Sequence, residues 1–304
     1  MGIAYAYILT KGGAKVTAVC RSNFSAAKQD GLTIESQMWG THSFKPHSVV
    51  QSVGDAECPF DYVVVCSKAS LGASPPAAQL IQAAVGPNTT IVLCQNGIGI
   101  EDEYHTLYST NTIISGVVYL PVTHIRPRYV IHGELETLEV GLYPANPAEH
   151  EPPVVSTFAH LFSSGGGTIR TYPDIQERRW TKLITNSAWN PLTALSRLND
   201  ADFLRSSPLA QTIVHRAMLE VVAVARAKGY ESITEATVDW QLSRAIGRLQ
   251  TKGKEPSMLT DVREGRLASM EVEPIVGNVI RFGVQVPTLE TIYVLIKGLS
   301  VSGG

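Results

Sequence analysis

The sequence is short of what several large classes of protein need. It has no excess of basic charge. Its 25 Lys and Arg stand against 27 Asp and Glu, a formal net charge of −2, and no stretch clusters Lys and Arg. A nucleic-acid footprint needs a basic surface, so no nucleic-acid partner is expected. No run approaches the roughly 18 consecutive apolar residues that span a bilayer, so no membrane partner is expected either. The opening "MGIAYAYILTKGG" has no basic n-region and no cleavage site, and Ala6 breaks the myristoylation pattern. Neither a secretory leader nor a lipid anchor is therefore expected. Cysteine is scarce: Cys20, Cys58, Cys66 and Cys94 show no CxxC or Cys/His spacing, so no metal site is expected. Three of them end apolar runs, "KVTAVC", "DYVVVC" and "TIVLC". The cysteines read as small buried hydrophobes at strand ends in a reducing, cytoplasmic setting.

The 304 residues, 44% apolar and 17% charged, suffice for two domains with real cores. The first half alternates. A helix-like start at Gly2 leads into a β-like run at 15–20, and a second run covers 61–66. Residues 75–85 read as a helix, a third run covers 90–94, and short β-rich runs come after it at 113–122, 128–132 and 137–142. Continuous apolar strands separated by helices imply a parallel sheet covered on both faces. From residue 176 the pattern is helical, over 176–197, 200–228, 233–250, 259–283 and 287–299. "SSGGGT" and "YPD" mark the change of character. The expected architecture is α/β: a Rossmann-like dinucleotide-binding domain at 1–175 and an all-helical substrate and catalytic domain at 176–304.

Two features carry chemistry. In "KLITNSAWNPLTAL", Lys182, Asn186 and Asn190 are spaced four apart. At about 100° per residue they form one polar stripe, at roughly 0°, 40° and 80° around the helix. Leu183, Ile184, Trp189 and Leu192 surround it, and Pro191 deprives the Ser187 carbonyl of its helical partner. One cation and two amides among apolar neighbours suit a binding surface better than a solvated face. The second feature lies just past the ends of the three apolar runs, in Arg21-Ser22, Ser67-Lys68 and Gln95-Asn96-Gly97. Ligands of open parallel sheets bind outside the carboxyl ends of the strands. An arginine just past the end of the 15–20 run suits a 2′-phosphate, and Lys68 suits a phosphate or a carboxylate. Trp180, Leu183 and Trp189 read as core, His132 as a satisfied or edge histidine, and His215 as packing or surface.

The segments "GIAYAYILTKGGAKVTAVCR", "DYVVVCSKA", "LCQNGIG", "RRWTKLITNSAWNPLTAL", "PSMLTDVREGR" and "MEVEPIVGN" together resemble the ketopantoate reductase (2-dehydropantoate 2-reductase) family over nearly the whole chain. The resemblance implies NADPH-dependent reduction of a small 2-oxo acid. Lys182 resembles the lysine that assists reduction of the keto group, and Glu271 the acidic residue near the reacting centre. Asn186 and Asn190 resemble amides that hold substrate, and Ser257 the serine at the substrate's end. Asn96 resembles the asparagine between nicotinamide and substrate, and Arg21 and Lys68 resemble phosphate contacts. On this reading the stripe is the floor of a cleft, the partner is a small molecule, and a homodimer is among the states open to the chain.

Two departures stand out. The family begins with a strand and Gly-x-Gly-x-x-Gly, whereas Gly2 aligns with the third of those glycines. Either the 304 residues are a truncated version of a complete protein, or they belong to a descendant that has lost normal NADPH use. That descendant could be a ligand-binding protein or a cofactor-free isomerase or cyclase built on Lys182 and Glu271. A reductase of another, larger carbonyl compound is a third expectation. The second departure is two additional residues before the acidic pair, which leaves Glu271 and Glu273 as rivals for the site, with Glu271 preferred.

Overall fold

The computed structural model describes residues 1–69, 71–145 and 152–302. It divides into two compact units. Unit 1 holds Met1–Ser67, Ala73–Gln95 and Glu101–Ile175. Unit 2 holds Lys68–Gly72, Asn96–Ile100 and the chain from Gln176 onward. The loops that leave the second and third apolar runs thus belong to the helical unit.

Unit 1 opens with helix α1, Gly2–Lys11, which buries Ala4, Tyr5, Ile8 and Leu9 along one side. Strand β1 (Thr17–Val19), helix α2 (Phe24–Asp30) and strands β2 (Leu32–Ser36), β3 (Gly40–Phe44), β4 (Ser48–Val50), β5 (Tyr62–Val65) and β6 (Thr90–Cys94) come next. Then come α3 (Asp102–Leu107), β7 (Ile113–Tyr119), β8 (Val122–Arg126), β9 (Tyr129–His132), β10 (Thr137–Tyr143), α4 (Pro153–Ser164) and β11 (Ile169–Thr171).

The parallel ladders expected from the apolar runs are present but divided. A five-stranded sheet has the order β11-β10-β7-β6-β5, in which β5, β6 and β7 run parallel and β10 runs antiparallel to β7. Among the described residues β1 pairs only with β4, in parallel, and β5 only with β6. Strands β3-β2-β9-β8 form a separate sheet, in which β2 and β3 make an antiparallel hairpin.

Unit 2 contains α5 (Ile175–Ser196, which begins at the last residue of unit 1), α6 (Asp200–Ser206), α7 (Ala210–Ala227), α8 (Glu235–Ile246), α9 (Ser257–Arg263), α10 (Asn278–Ile280) and α11 (Pro287–Val301). Trp180, Leu183, Ile184, Ala188 and Trp189 of α5 are buried in its core with Met218 of α7 and Leu242 of α8. Among the described residues no helix is long and apolar enough to cross a membrane.

Several expected boundaries need correction. The helix expected over 200–228 is two, α6 and α7, broken around Pro208, which has no backbone donor to continue a helix. The helix expected over 259–283 is broken as well. It stops at Arg263, the chain turns at Gly265 with φ +70°, and a π-helical turn spans Glu273–Gly277. Residues 77–84 form 3-10 turns rather than an α-helix. Strands β2, β3 and β4 were not expected. Cys20 and Cys94 are buried, but Cys66 is half-buried and Cys58 is exposed, away from any strand end. His132 is fully buried and satisfied: its Nδ1 lies 2.8 Å from Ser36 Oγ and its Nε2 3.0 Å from the Leu135 carbonyl. His215 is half-exposed and lies 3.4 Å from Asp239.

Helices α1 and α4 cross where both run out, and glycine permits the crossing. A Cβ on Gly165 would stand 1.9 Å from the Ile8 carbonyl oxygen, and one on Gly12 would stand 2.0 Å from that of Leu161. Both clashes are with backbone, so the helices would have to part, separating Tyr5 from Phe162, whose rings meet edge-on at 5.3 Å. Gly165→Ala is therefore expected to destabilise unit 1 by about 1–3 kcal/mol, the usual cost of overpacking. Chemical denaturation would measure this, and an unchanged midpoint would contradict the crossing.

Candidate active site

The gathering point is the Asn96–Ile100 segment, which comes soon after β6. Gly97 has φ +96°, and a Cβ there would stand 2.5 Å from both Cβ and the carbonyl oxygen of Pro274. Only glycine meets both demands. Hydrogen bonds to its backbone tie the segment to the rest of unit 2. The Ile98 amide donates to the Pro274 carbonyl at 2.9 Å, Arg179 Nη1 to the Gly97 carbonyl at 3.0 Å, and Asn278 Nδ2 to the Ile98 carbonyl at 2.7 Å.

So held, Asn96 spans two of the expected site residues. Its Oδ1 accepts from Lys182 Nζ at 2.7 Å, and its Nδ2 donates to Glu271 Oε2 at 3.4 Å. The Ala69 amide donates to the other oxygen of Glu271 at 3.1 Å. Ammonium, amide and carboxyl thus form one continuous chain. Glu271 is 7% exposed. Burial raises its pKa above 4.5, opposed by the Ala69 amide, the Asn96 amide and the Lys68 and Lys182 ammonium groups.

Asn190, 4% exposed, accepts through Oδ1 from Ser257 Oγ and from the Met258 amide, each at 3.2 Å. It therefore fixes the start of α9 and holds Ser257 beside α5. Asn186 lies one turn from both Lys182 and Asn190 on the same face and is half-buried. The stripe is not a solvated surface.

Glu273 lies elsewhere. Burial pushes its carboxyl up, but hydrogen bonds from Lys297, Arg281 and Tyr293 outweigh this and hold it below its usual value. Lys68 is drawn to Asp261, where Nζ bonds Oδ2, while Arg266 Nη2 bonds Oδ1 at 2.9 Å. Asp261 is 2% exposed. The sequence pattern includes Asp261 within "PSMLTDVREGR" without assigning it a role, and it misses Arg179 and Asn278. The signal for Asp261 is an acid four residues after Ser257, on the same face of a short helix. Arg179 and Asn278 act through backbone carbonyls, which leave no pattern in the sequence.

Gly2 and Arg21 belong to unit 1, where Gly2 opens α1 and the exposed Arg21 lies just past β1. For a dinucleotide the fit is partial. Within unit 1 the exposed Arg21 has the charge and fork geometry to meet a phosphate. Lys68 is held by Asp261.

Models of the ketopantoate reductase PanE/ApbA family match residues 1–145, and its C-terminal part matches residues 174–300. The chain is 27% identical to the 2-dehydropantoate 2-reductase of a Nostoc species, over 98% of this chain and 92% of that one. The crystal structure of the 2-dehydropantoate 2-reductase from Methylococcus capsulatus superposes with a TM-score of 0.87 at 32% identity, covering 99% and 94% of the two chains. A D-mandelate dehydrogenase solved with NADH and anilino(oxo)acetate shares the fold, with a TM-score of 0.84 at 20% identity, covering 99% and 95% of the two chains. The fold is that of a family whose members are nicotinamide-dependent oxidoreductases. The chain belongs to the ketopantoate reductase family.

The burial of Glu271 has a pH signature. A carboxyl whose folded pKa is raised adds stability fully below its unfolded pKa, and that stability is lost as pH rises through the folded pKa. Glu271→Gln should therefore gain stability relative to the parent chain as pH rises from about 4.5 to neutrality. Denaturation midpoints at both pH values would test this, and a pH-independent difference would contradict it.

Proposed function

We propose that the chain reduces a small 2-oxo acid, 2-dehydropantoate, to its 2-hydroxy acid with NADPH. Bound NADPH would supply the hydride to the C2 carbonyl. The observation that carries the proposal is the Lys182–Asn96–Glu271 chain, with Lys182 Nζ 2.7 Å from Asn96 Oδ1.

The roles follow from charge. As the ketone oxygen becomes negative, the Lys182 ammonium stabilises it and delivers a proton. Asn96 accepts from Lys182 and so sets where the ammonium stands without neutralising it. Glu271 accepts from Asn96 Nδ2 and thereby fixes which end of the amide faces the lysine. Ser257, set by Asn190, and Asn186 offer polar atoms to the carboxylate and hydroxyl ends of the substrate without adding charge. Arg21 in unit 1 would hold the 2′-phosphate, which supports NADPH over NADH.

Lys182→Ala is expected to lower turnover of 2-dehydropantoate by at least about a hundredfold with the fold intact, since a general acid contributes 10²–10⁴-fold. Unchanged turnover would contradict the role. Arg21→Ala is expected to weaken NADPH binding more than NADH binding in a calorimetric titration. Equal losses would contradict recognition of the 2′-phosphate.

A further inference from the structure

The Asn278 bond to the Asn96 segment is one end of a second polar chain. Asn278 opens α10, immediately after the π-helical turn at Glu273–Gly277. Its Nδ2 donates to the Ile98 carbonyl at 2.7 Å, and its Oδ1 accepts from Arg281 Nη1. Arg281 also pairs through Nη2 with Glu273 Oε2. The second oxygen of Glu273 accepts from Lys297 Nζ at 2.7 Å and from Tyr293 OH at 3.0 Å, both on α11.

The order of these bonds matters. An amide has two ends of opposite character, and its orientation is set by whichever neighbour is fixed. Arg281 is all donor, so it demands the oxygen of Asn278. The nitrogen of Asn278 must then face Ile98, whose carbonyl can only accept. Reversal would put two oxygens together on one side and two donors on the other. Arg281 is itself held by Glu273, and Glu273 is anchored on α11. Within the π-helical turn, a Cβ on Gly277 would stand 2.4 Å from Glu273 Oε2, so glycine leaves the room this carboxylate occupies. Single π turns of this kind occur often at functional sites.

We propose that Asn278, oriented by Arg281 and Glu273, is a positioning residue that fixes the Asn96–Ile98 segment and so sets the distance between Asn96 and Lys182. Asn278 acts on the Lys182–Asn96–Glu271 chain through the backbone of residue 98. The catalytic part of this claim rests on the reductive role proposed for Lys182 and Asn96. The clamp on the backbone does not. A displacement of the order of 1 Å at a reacting group can cost about a hundredfold in rate, so a remote clamp can matter to turnover.

Two variants and two readouts test it. Asn278→Asp keeps the shape and turns the donor facing Ile98 into an acceptor. Arg281→Gln alters only an exposed side chain and removes the cation that orients Asn278, so it keeps the test open should Asn278→Asp fail to fold. Hydrogen exchange of the backbone over residues 96–100 reads the clamp without any substrate. Steady-state kinetics with NADPH and 2-dehydropantoate read its consequence. Asn278→Asp is expected to speed exchange in that segment at least about tenfold while leaving α7 unchanged, and to lower kcat at least about tenfold with KM for NADPH within about threefold. Arg281→Gln is expected to show the same pattern at smaller size. Unchanged exchange in a folded variant would overturn the clamp. Faster exchange with unchanged kcat would overturn the positioning role. If the parent chain does not turn over 2-dehydropantoate, the proposed reaction fails, and the exchange measurement still decides the clamp.

Discussion

Glu271 is a carboxyl group placed where water hardly reaches it, and a charge so placed must be matched by donors or be neutralised. The donors here come from two loops that are remote in sequence. The Ala69 amide belongs to the loop after β5, and the Asn96 amide to the loop after β6. Both loops belong to unit 2, although the strands they leave belong to unit 1. Burial of one acid thus accounts for why short segments between strands are held by the helical unit. Asp261 repeats the arrangement with stronger partners. It is buried and draws Lys68 from the loop after β5 and Arg266 from its own neighbourhood.

These two acids give the site its electrostatic character. A lysine placed by a neutral amide keeps its charge unmatched by that partner, whereas a lysine paired to a buried aspartate has its charge met. Asn96 holds Lys182 in the first way, and Asp261 holds Lys68 in the second. Lys68 thereby ties the loop after β5 to α9 as a structural cation. Asn190 shows the same economy. One oxygen both starts α9 and holds Ser257, so the residue that defines the edge of the site also defines the helix bearing its next polar group.

What was legible in the sequence was what has a period or a punctuating residue. The Lys182, Asn186 and Asn190 stripe declared itself by fourfold spacing among apolar neighbours, and the runs ending at Cys66 and Cys94 declared two parallel strands. Spacing left Glu271 and Glu273 as rivals with Glu271 preferred, because the contacts that separate them, Ala69 and Asn96 on one and Lys297, Arg281 and Tyr293 on the other, come from other segments. The break between α6 and α7 is marked by Pro208, but the apolar period on either side masks it. The β2–β3 hairpin is faint because "LTIES" and "GTHSF" carry only short, partly polar alternation. Arg179 and Asn278 could not have been found at all from spacing, since each bonds a backbone carbonyl more than eighty positions away.

The central claim is that Asn96 and Lys182 act as one unit. A double-mutant cycle tests it most directly: kcat/KM for NADPH-dependent reduction of 2-dehydropantoate by Asn96→Ala, Lys182→Ala and the pair. Residues that act together lose their effect together. The double variant is therefore predicted to be no worse than about the poorer single one. Losses that multiply in full would contradict the account.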